Sequence, residues 1–312
     1  MEVFEHDGEV EITGVADFDP VKIFECGQCF RWDADENGVY TGVARGRAAR
    51  LRSGSGSIGG SGGRNGNLGN GGGGGGSCNG GSNSRKGVSI FISGTLHDFE
   101  TIWHDYFDLD RDYAEIRRSL CIDDFMTKAT AFGAGIRILQ QDKWEALCSF
   151  IISQCNNIPR IKKIIAELCR QFGEPVWFEG DSGDDKALYT FPSAERLAPL
   201  SADDLAQVRC GYRAEYIIGA ARAVADGALD LEALSRETPD AARAALKKLR
   251  GVGDKVADCA LLFGLNMPDA FPLDVWMKRA VAEHYGPAFD PGIFSPYAGI
   301  AQQYIFHYMR NG

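Results

Sequence analysis

Positive charge is scarce in this 312-residue sequence: 33 lysines and arginines face 43 aspartates and glutamates, for a net charge of −10. Phosphate contacts dominate nucleic-acid affinity, so a binder of this composition is expected to make few of them and to hold nonspecific sites weakly. No apolar run long enough to span a membrane and no signal peptide is present, and the nine cysteines are scattered, so the expectation is a reduced cytosolic compartment, nucleoid-associated in a prokaryote or nuclear in a eukaryote. Cys26 and Cys29 form a CxxC, but no second pair stands at metal-ligand spacing. They read as small residues around Gly27 and Gln28, and no metal or organic cofactor is implied. What remains is an ordinary composition, 44% apolar and 24% charged, with room for two or three lobes.

Residues 1–134 carry short apolar stretches between turn signals, at Val10–Val15, Cys29–Trp32, Val39–Val43 and Val88–Ile92, consistent with an antiparallel sheet. Residues 53–87 interrupt it with 17 glycines and mostly Ser and Asn between them, a composition expected to be disordered and to replace a hairpin loop. The helical period takes over from about 112. Trp144, Leu147, Cys148, Ile151 and Ile152 form one stripe, and Ile158, Ile161, Ile165, Leu168 and Phe172 another. Residues 179–187 read as an acidic loop. Charge follows the same division: 13 basic and 20 acidic side chains in 1–134, and 20 and 23 in 135–312. The second part is near neutral and carries two basic runs, one from Arg243 to Lys255 and one at Arg160, Lys162 and Lys163.

The stretch LRGVGDKVADCALLFGLNMPDAFPLD, from Leu249 to Asp274, carries the chemistry. Thr238 and Pro239 are a good N-cap and first-turn pair, and Asp240 to Leu249 has the alanines, leucines and lysines of a helix. Gly251 and Gly253, either side of Val252, end it. They leave backbone N–H groups at the start of the next helix, where the dipole also favours an anion, and a DNA phosphate is the natural one, with Lys247 and Lys248 beside it. Val256, Cys259, Ala260 and Phe263 form the apolar stripe of that next helix, leaving Lys255 off it and close to the turn. A lysine there opposes the helix dipole, a field that together with desolvation favours the neutral, nucleophilic amine. Asp274 opens another helix about twenty residues later. Its plain role is an N-cap, and the same N–H groups would keep it ionised to stabilise a developing sugar cation. A bare GVG between helices reads more often as an αα-hairpin with a solvated lysine.

The LRGVGDKVADC segment with its downstream PLD resembles the helix-hairpin-helix DNA glycosylases. Four further blocks narrow the resemblance to the 8-oxoguanine DNA glycosylases: CGQCFRW at 26–32, GIRILQQDKWEALCSFIISQCNNIPRI at 135–161, GYRAEYI at 211–217 and AQQYIF at 301–306. The blocks lie in family order and cover nearly the whole chain apart from the glycine-rich stretch. No closing cysteine cluster follows the Asp274 helix, which argues against the iron–sulfur relatives.

The resemblance implies that Lys255 is the nucleophile, attacking the anomeric carbon and leaving a Schiff base that permits β-elimination, and that Asp274 is the catalytic carboxylate. It implies that Cys259 and Phe306 sandwich the flipped base, that the Gly27 carbonyl accepts a hydrogen bond from the N7–H that only the oxidised base carries, and that Gln302 reads the Watson–Crick edge. Taken alone, Cys259 and Phe306 would be core, Gly27 a turn glycine and Gln302 a surface residue. The resemblance assigns Asn156, Asn157, Arg160, Tyr212 and Arg213 to the gap and the orphan cytosine. Two positions depart from the family pattern. Cys155 stands where the first of three asparagines is usual, so an amide expected in the gap is missing, while the retained Arg160 argues for cytosine. Trp276 stands where many relatives have a histidine.

The expectation is an α+β protein. An N-terminal antiparallel sheet domain (1–134) packs on a two-lobed helical region (135–312) that contains a helix-hairpin-helix at 239–265, and Gly27 reaches a cleft between the helical lobes. It is expected to act as a monomer on double-stranded DNA containing an oxidised purine, away from membranes. The alternatives are a non-catalytic lesion-binding module and a related glycosylase of different base preference. Retention of both Lys255 and Asp274 speaks against the first.

Overall fold

The structure is a computed structural model that describes residues 1–54, 87–178 and 187–312. Six strands, β1 (Glu2–His6), β2 (Glu9–Val15), β3 (Trp32–Ala34), β4 (Tyr40–Ala44), β5 (Arg47–Gly54) and β6 (Val88–Ser93), form one antiparallel sheet in the order β1-β2-β6-β5-β4-β3. Period-two patterning sets its inner face. Val10 and Ile12 of β2 are buried opposite Ile92 and Ile90 of β6, while Glu9 and Glu11 alternate away from them. Aromatic side chains fill the space behind it: Phe24 stacks on Trp32 at 4.6 Å between centroids, and Trp32 donates from Nε1 to the Tyr106 hydroxyl at 2.9 Å.

Two sequence expectations need correction here. The glycine-rich stretch does connect paired strands, with Leu51 opposite Ile92, but β5 runs on through Ser53 and Gly54, which pair with Ile90 and Ser89. The disorder expected of 53–87 and the acidic loop at 179–187 otherwise lie outside the described residues, apart from Gly87 and Ala187. The strand expected from Cys29 begins only at Trp32. Residues 26–30 leave the sheet, and Cys26 and Phe30 are buried in the apolar core of the helical region instead. Arg137 closes the junction from the other side, donating to the carbonyls of Ala16 (2.8 Å), Asp17 (3.0 Å) and Asp108 (2.6 Å).

In the helical region, Lys143–Ser153 and Asp254–Phe263 pack against each other and are buried nearly all round, a fuller burial than the single stripes read from the sequence. Helix Ile158–Phe172 is amphipathic, with Ile161, Ile164, Ile165 and Leu168 buried, while Ile158 and Phe172, at its ends, are only half-buried. The first hairpin helix, Pro239–Leu246, is capped by Thr238 as expected but stops short of Leu249; Lys247–Leu249 form a turn. Gly251 follows at φ +86°, and a Cβ there would stand 2.2 Å from the Tyr216 ring, so both backbone and packing demand glycine.

Candidate active site

Gly253 opens helix Asp254–Phe263 without a side-chain cap, which places Lys255 in its first turn. The Lys255 Nζ lies 5.1 Å from the centroid of the Phe150 ring and 3.5 Å from Ser153 Oγ. The Ser153 hydroxyl donates to the Phe150 carbonyl at 2.8 Å, so toward the amine it is an acceptor. One turn beyond Lys255 is Cys259, whose thiol is pushed up to about 11 by burial, with Lys255 opposing the rise. Asp274 caps helix Val275–His284 by accepting from the Met277 N–H at 2.9 Å, and is itself half-buried.

Lys255, Asp274, Gly27, Cys259, Gln302 and Phe306 all line one cavity of about 60 Å³. Gly27 takes φ +80°, and a Cβ there would meet Ile158 Cδ1 at 3.4 Å and the Phe306 ring at 3.6 Å. Gln302 is buried, and its Oε1 accepts no hydrogen bond among the described residues. Clefts of about 510 and 970 Å³ lie elsewhere, around Asp108 and Trp177, and neither is lined by any of these six residues. Among the described residues the His/Cys/Asp/Glu cluster at ligand spacing is His104, Asp105 and Asp110, in the first of these clefts and remote in chemistry from Lys255. Sequence reasoning did not assign Phe150, Ser153, Phe263, Pro272 or Gln303 to the site. Phe150 and Phe263, stacked at 5.2 Å, carried only a core signal, and Ser153 none at all.

Of the residues expected at the opposite base, Cys155, Asn156 and Asn157 sit on the corner before helix Ile158–Phe172, Arg160 in that helix's first turn, and Tyr212 and Arg213 at the start of helix Arg213–Ala225. Cys155 is exposed in the left-handed region at φ +48°. Asn157 is the N-cap of that helix, accepting from the Arg160 N–H at 3.0 Å, and Asn156 donates to the Ile152 carbonyl at 3.3 Å. Arg213 is buried, and its guanidinium donates to the carbonyls of Gln154, Cys155 and Cys210. Its fork therefore ties the start of helix Arg213–Ala225 to the corner, while Arg160 on helix Ile158–Phe172 and Tyr212, the N-cap of helix Arg213–Ala225, remain exposed. The basic hairpin run is also largely engaged. Lys247 pairs with Asp254 (2.5 Å), Arg243 with Asp240 and Asp258 (2.6 Å each) and Arg250 with Glu215 (2.8 Å). Lys248 is exposed and makes no ion pair among the described residues, and the Val252 side chain is buried while its N–H donates to the Leu249 carbonyl at 3.1 Å.

A glycine hairpin delivering a lysine, with a capping aspartate on the next helix, is the arrangement of the helix-hairpin-helix base-excision class. Residues 148–291 match the family model of the HhH-GPD superfamily base excision DNA repair proteins, and residues 12–147 that of the 8-oxoguanine DNA glycosylase N-terminal domain. The chain belongs to the 8-oxoguanine DNA glycosylase family. It is similar to the solved structure of MBOgg1 in complex with a low-affinity DNA ligand, at 39% identity and a TM-score of 0.83, covering 99% of this chain and 98% of that one. It is similar also to the Clostridium acetobutylicum 8-oxoguanine glycosylase/lyase in complex with double-stranded DNA containing cytosine opposite 8-oxoguanine, at 32% identity and a TM-score of 0.82 over the same shares. The N-glycosylase/DNA lyase of Saccharomyces cerevisiae is 35% identical over 209 residues, which is 64% of this chain and 54% of that enzyme's length. Among the described residues, no helix is long and apolar enough to cross a membrane.

Proposed function

We propose that this protein excises 8-oxoguanine from duplex DNA and then cleaves the strand, with Lys255 as nucleophile and Asp274 as the carboxylate partner. The observation that carries the reading is Gln302. A buried acceptor left without a donor costs about 1–3 kcal/mol, and this one lines the same cavity as Lys255 and Asp274. A guanine-type base offers N–H donors along its Watson–Crick edge and would satisfy it.

In this reading the unprotonated Lys255 amine attacks the anomeric carbon as the glycosidic bond breaks, and the bonding pair leaves with the base. The Asp274 carboxylate, anchored at a helix N-terminus by the Met277 N–H, stabilises the positive charge that develops on the sugar. Opening of the sugar ring converts the adduct to an imine, and loss of a C2′ proton expels the 3′ phosphate. Cys259 and Phe306 supply the two faces of the base slot, and the Gly27 carbonyl accepts from the N7–H. Arg160 and Tyr212, exposed beside the corner that Arg213 braces, are the side chains offered to an opposing cytosine. The hairpin at Gly251–Gly253 and Lys248 take a phosphate, and one copy of the chain suffices for all of these roles.

Borohydride trapping on duplexes carrying 8-oxoguanine opposite each of the four bases tests the proposal. A covalent adduct that needs both the lesion and Lys255, and is strongest opposite cytosine, supports it. Tight lesion binding by folded protein without any adduct would leave a lesion-binding module or a glycosylase that activates water.

A further inference from the structure

Three glutamines from three parts of the chain converge on the turn at Gly27. Gln303, on the terminal helix Ala298–Asn311, is 2% exposed and donates through Nε2 to the Cys26 carbonyl at 2.9 Å. Gln141 donates through Nε2 to the Gln28 carbonyl at 2.6 Å. The Gln28 side chain is wholly buried; it donates to the carbonyls of Ile23 (2.9 Å) and Arg137 (2.8 Å) and accepts from the Leu139 N–H at 2.8 Å. The carbonyls before and after Gly27 are thus both occupied, while that of Gly27 accepts no hydrogen bond among the described residues.

Peptide planes explain why this matters. Holding the Cys26 carbonyl fixes the plane before Gly27, and holding the Gln28 carbonyl fixes the plane after Gln28. Between them lies the Gly27–Gln28 peptide, at a residue with φ +80° and no side chain to resist rotation. If either neighbouring plane can share the rotation, such a unit can present its C=O or, after a flip, its N–H; with both planes held, a flip would have to drive Gln28, which lies outside the positive-φ region, into it. The two faces select opposite bases: a carbonyl accepts from the N7–H of the oxidised base, whereas an N–H donates to the bare N7 of guanine.

We propose that Gln303 is a specificity-determining positioning residue which, with Gln141, locks the planes flanking the Gly27–Gln28 peptide so that the base meets a carbonyl and not an N–H. This rests on the reading above in which Gly27 senses the N7–H. Gln303 acts through the backbone and need not touch the base.

The experiment crosses a protein change with a substrate change. Single-turnover trapping rates are measured for the full chain and for Gln303→Met, which keeps length but removes the donor, on duplexes carrying 8-oxoguanine, its N7-methyl derivative, guanine and an abasic site. In the unaltered protein, N7 methylation is expected to slow the reaction on the order of 100-fold, the upper end of one lost buried hydrogen bond. In Gln303→Met that penalty shrinks to about 10-fold and the preference over guanine falls in parallel, while abasic-site trapping, which needs no base recognition, stays within about 2-fold. An unchanged N7 penalty in a variant with normal abasic-site trapping overturns the positioning role and leaves the Gly27 reading standing. No N7 penalty in the unaltered protein overturns the Gly27 reading itself. Should Gln303→Met lose abasic-site trapping, Gln141→Met, which frees the other plane, carries the same comparison.

Discussion

The Lys255 amine and the Ser153 hydroxyl stand 3.5 Å apart, joined across the contact between two buried helices. Because Ser153 gives its proton to the Phe150 carbonyl, one helix supplies the amine with both a lone pair and, three residues earlier, a π face. A lysine side chain has four rotatable bonds, and these contacts restrict where it can aim. Replacing Ser153 by Ala is expected to slow imine formation about 10-fold by loosening that aim, with lesion affinity unchanged within about 2-fold, and Ser153→Thr should recover most of the rate. Stopped-flow trapping beside equilibrium binding separates the two; equal rates in all three proteins would remove Ser153 from the site.

Asp274 is an N-cap and, in the proposed reaction, also the carboxylate partner, two tasks that substitution can separate. Asparagine is among the best N-caps, so Asp274→Asn should keep the melting temperature while lowering the single-turnover rate on the order of 100-fold or more. Asp274→Ala should lose the rate and, in addition, about 1 kcal/mol of stability. If Asn restored the rate as well, the carboxylate would be a cap and nothing more.

Gly251→Ala would force a Cβ to within 2.2 Å of the Tyr216 ring at a backbone angle that L-residues resist. A loss of about 1–3 kcal/mol in urea unfolding is expected, together with weaker duplex binding because the hairpin N–H groups move. Gly253→Ala, where a Cβ meets nothing within 4 Å, should cost much less.

Alkaline stability should carry the signature of the buried thiols, all six of which burial pushes up, with Cys26 and Cys259 among them. Burial raises both Cys26 and Cys259 from 9.0 to about 11. As the pH passes 9 the unfolded chain loses these protons while the folded chain keeps them until about 11, so stability present below pH 9 is lost across that window. Each thiol contributes on the order of 2 kcal/mol to the fall. Urea midpoints measured from pH 8 to 11 should drop more steeply for the unaltered protein than for Cys259→Ala, and identical slopes would mean that the thiol ionises freely in the fold.

Much of this was legible in the sequence, for reasons that can be named. β2 and β6 announced themselves by alternation, and the hairpin by Thr238-Pro239 and the paired glycines. Lys255, Asp274, Cys259, Gln302, Phe306 and Gly27 were assigned through ordered motif blocks, and the structure lines one cavity with all six. What the sequence does not show is which groups each side chain is partnered with, some of them distant in the chain. Nothing near Arg213 says that its fork closes on the carbonyls of Gln154 and Cys155. The basic run at 243–255 looked free because Glu215, which takes Arg250, lies 35 residues away. Cys29–Trp32 has the apolar content of a strand, yet the turn at Gly27 held by the three glutamines sends Cys26 and Phe30 into the helical core and leaves Cys29 in the core behind the sheet.

A cavity of about 60 Å³ has room for roughly two water molecules, far less than a purine needs. If Phe306 and Cys259 clamp the base as proposed, they and their neighbours must part to admit it, so every base that samples the slot meets the same opening cost, damaged or not. Occupancy is then the intrinsic affinity multiplied by the fraction of time the slot stands open. Undamaged guanine, which can satisfy Gln302 but brings no N7–H to the Gly27 carbonyl, gains less inside and is expelled sooner as the walls close, so in the proposed reading elastic closure of the core becomes a clock that limits how long each candidate is inspected.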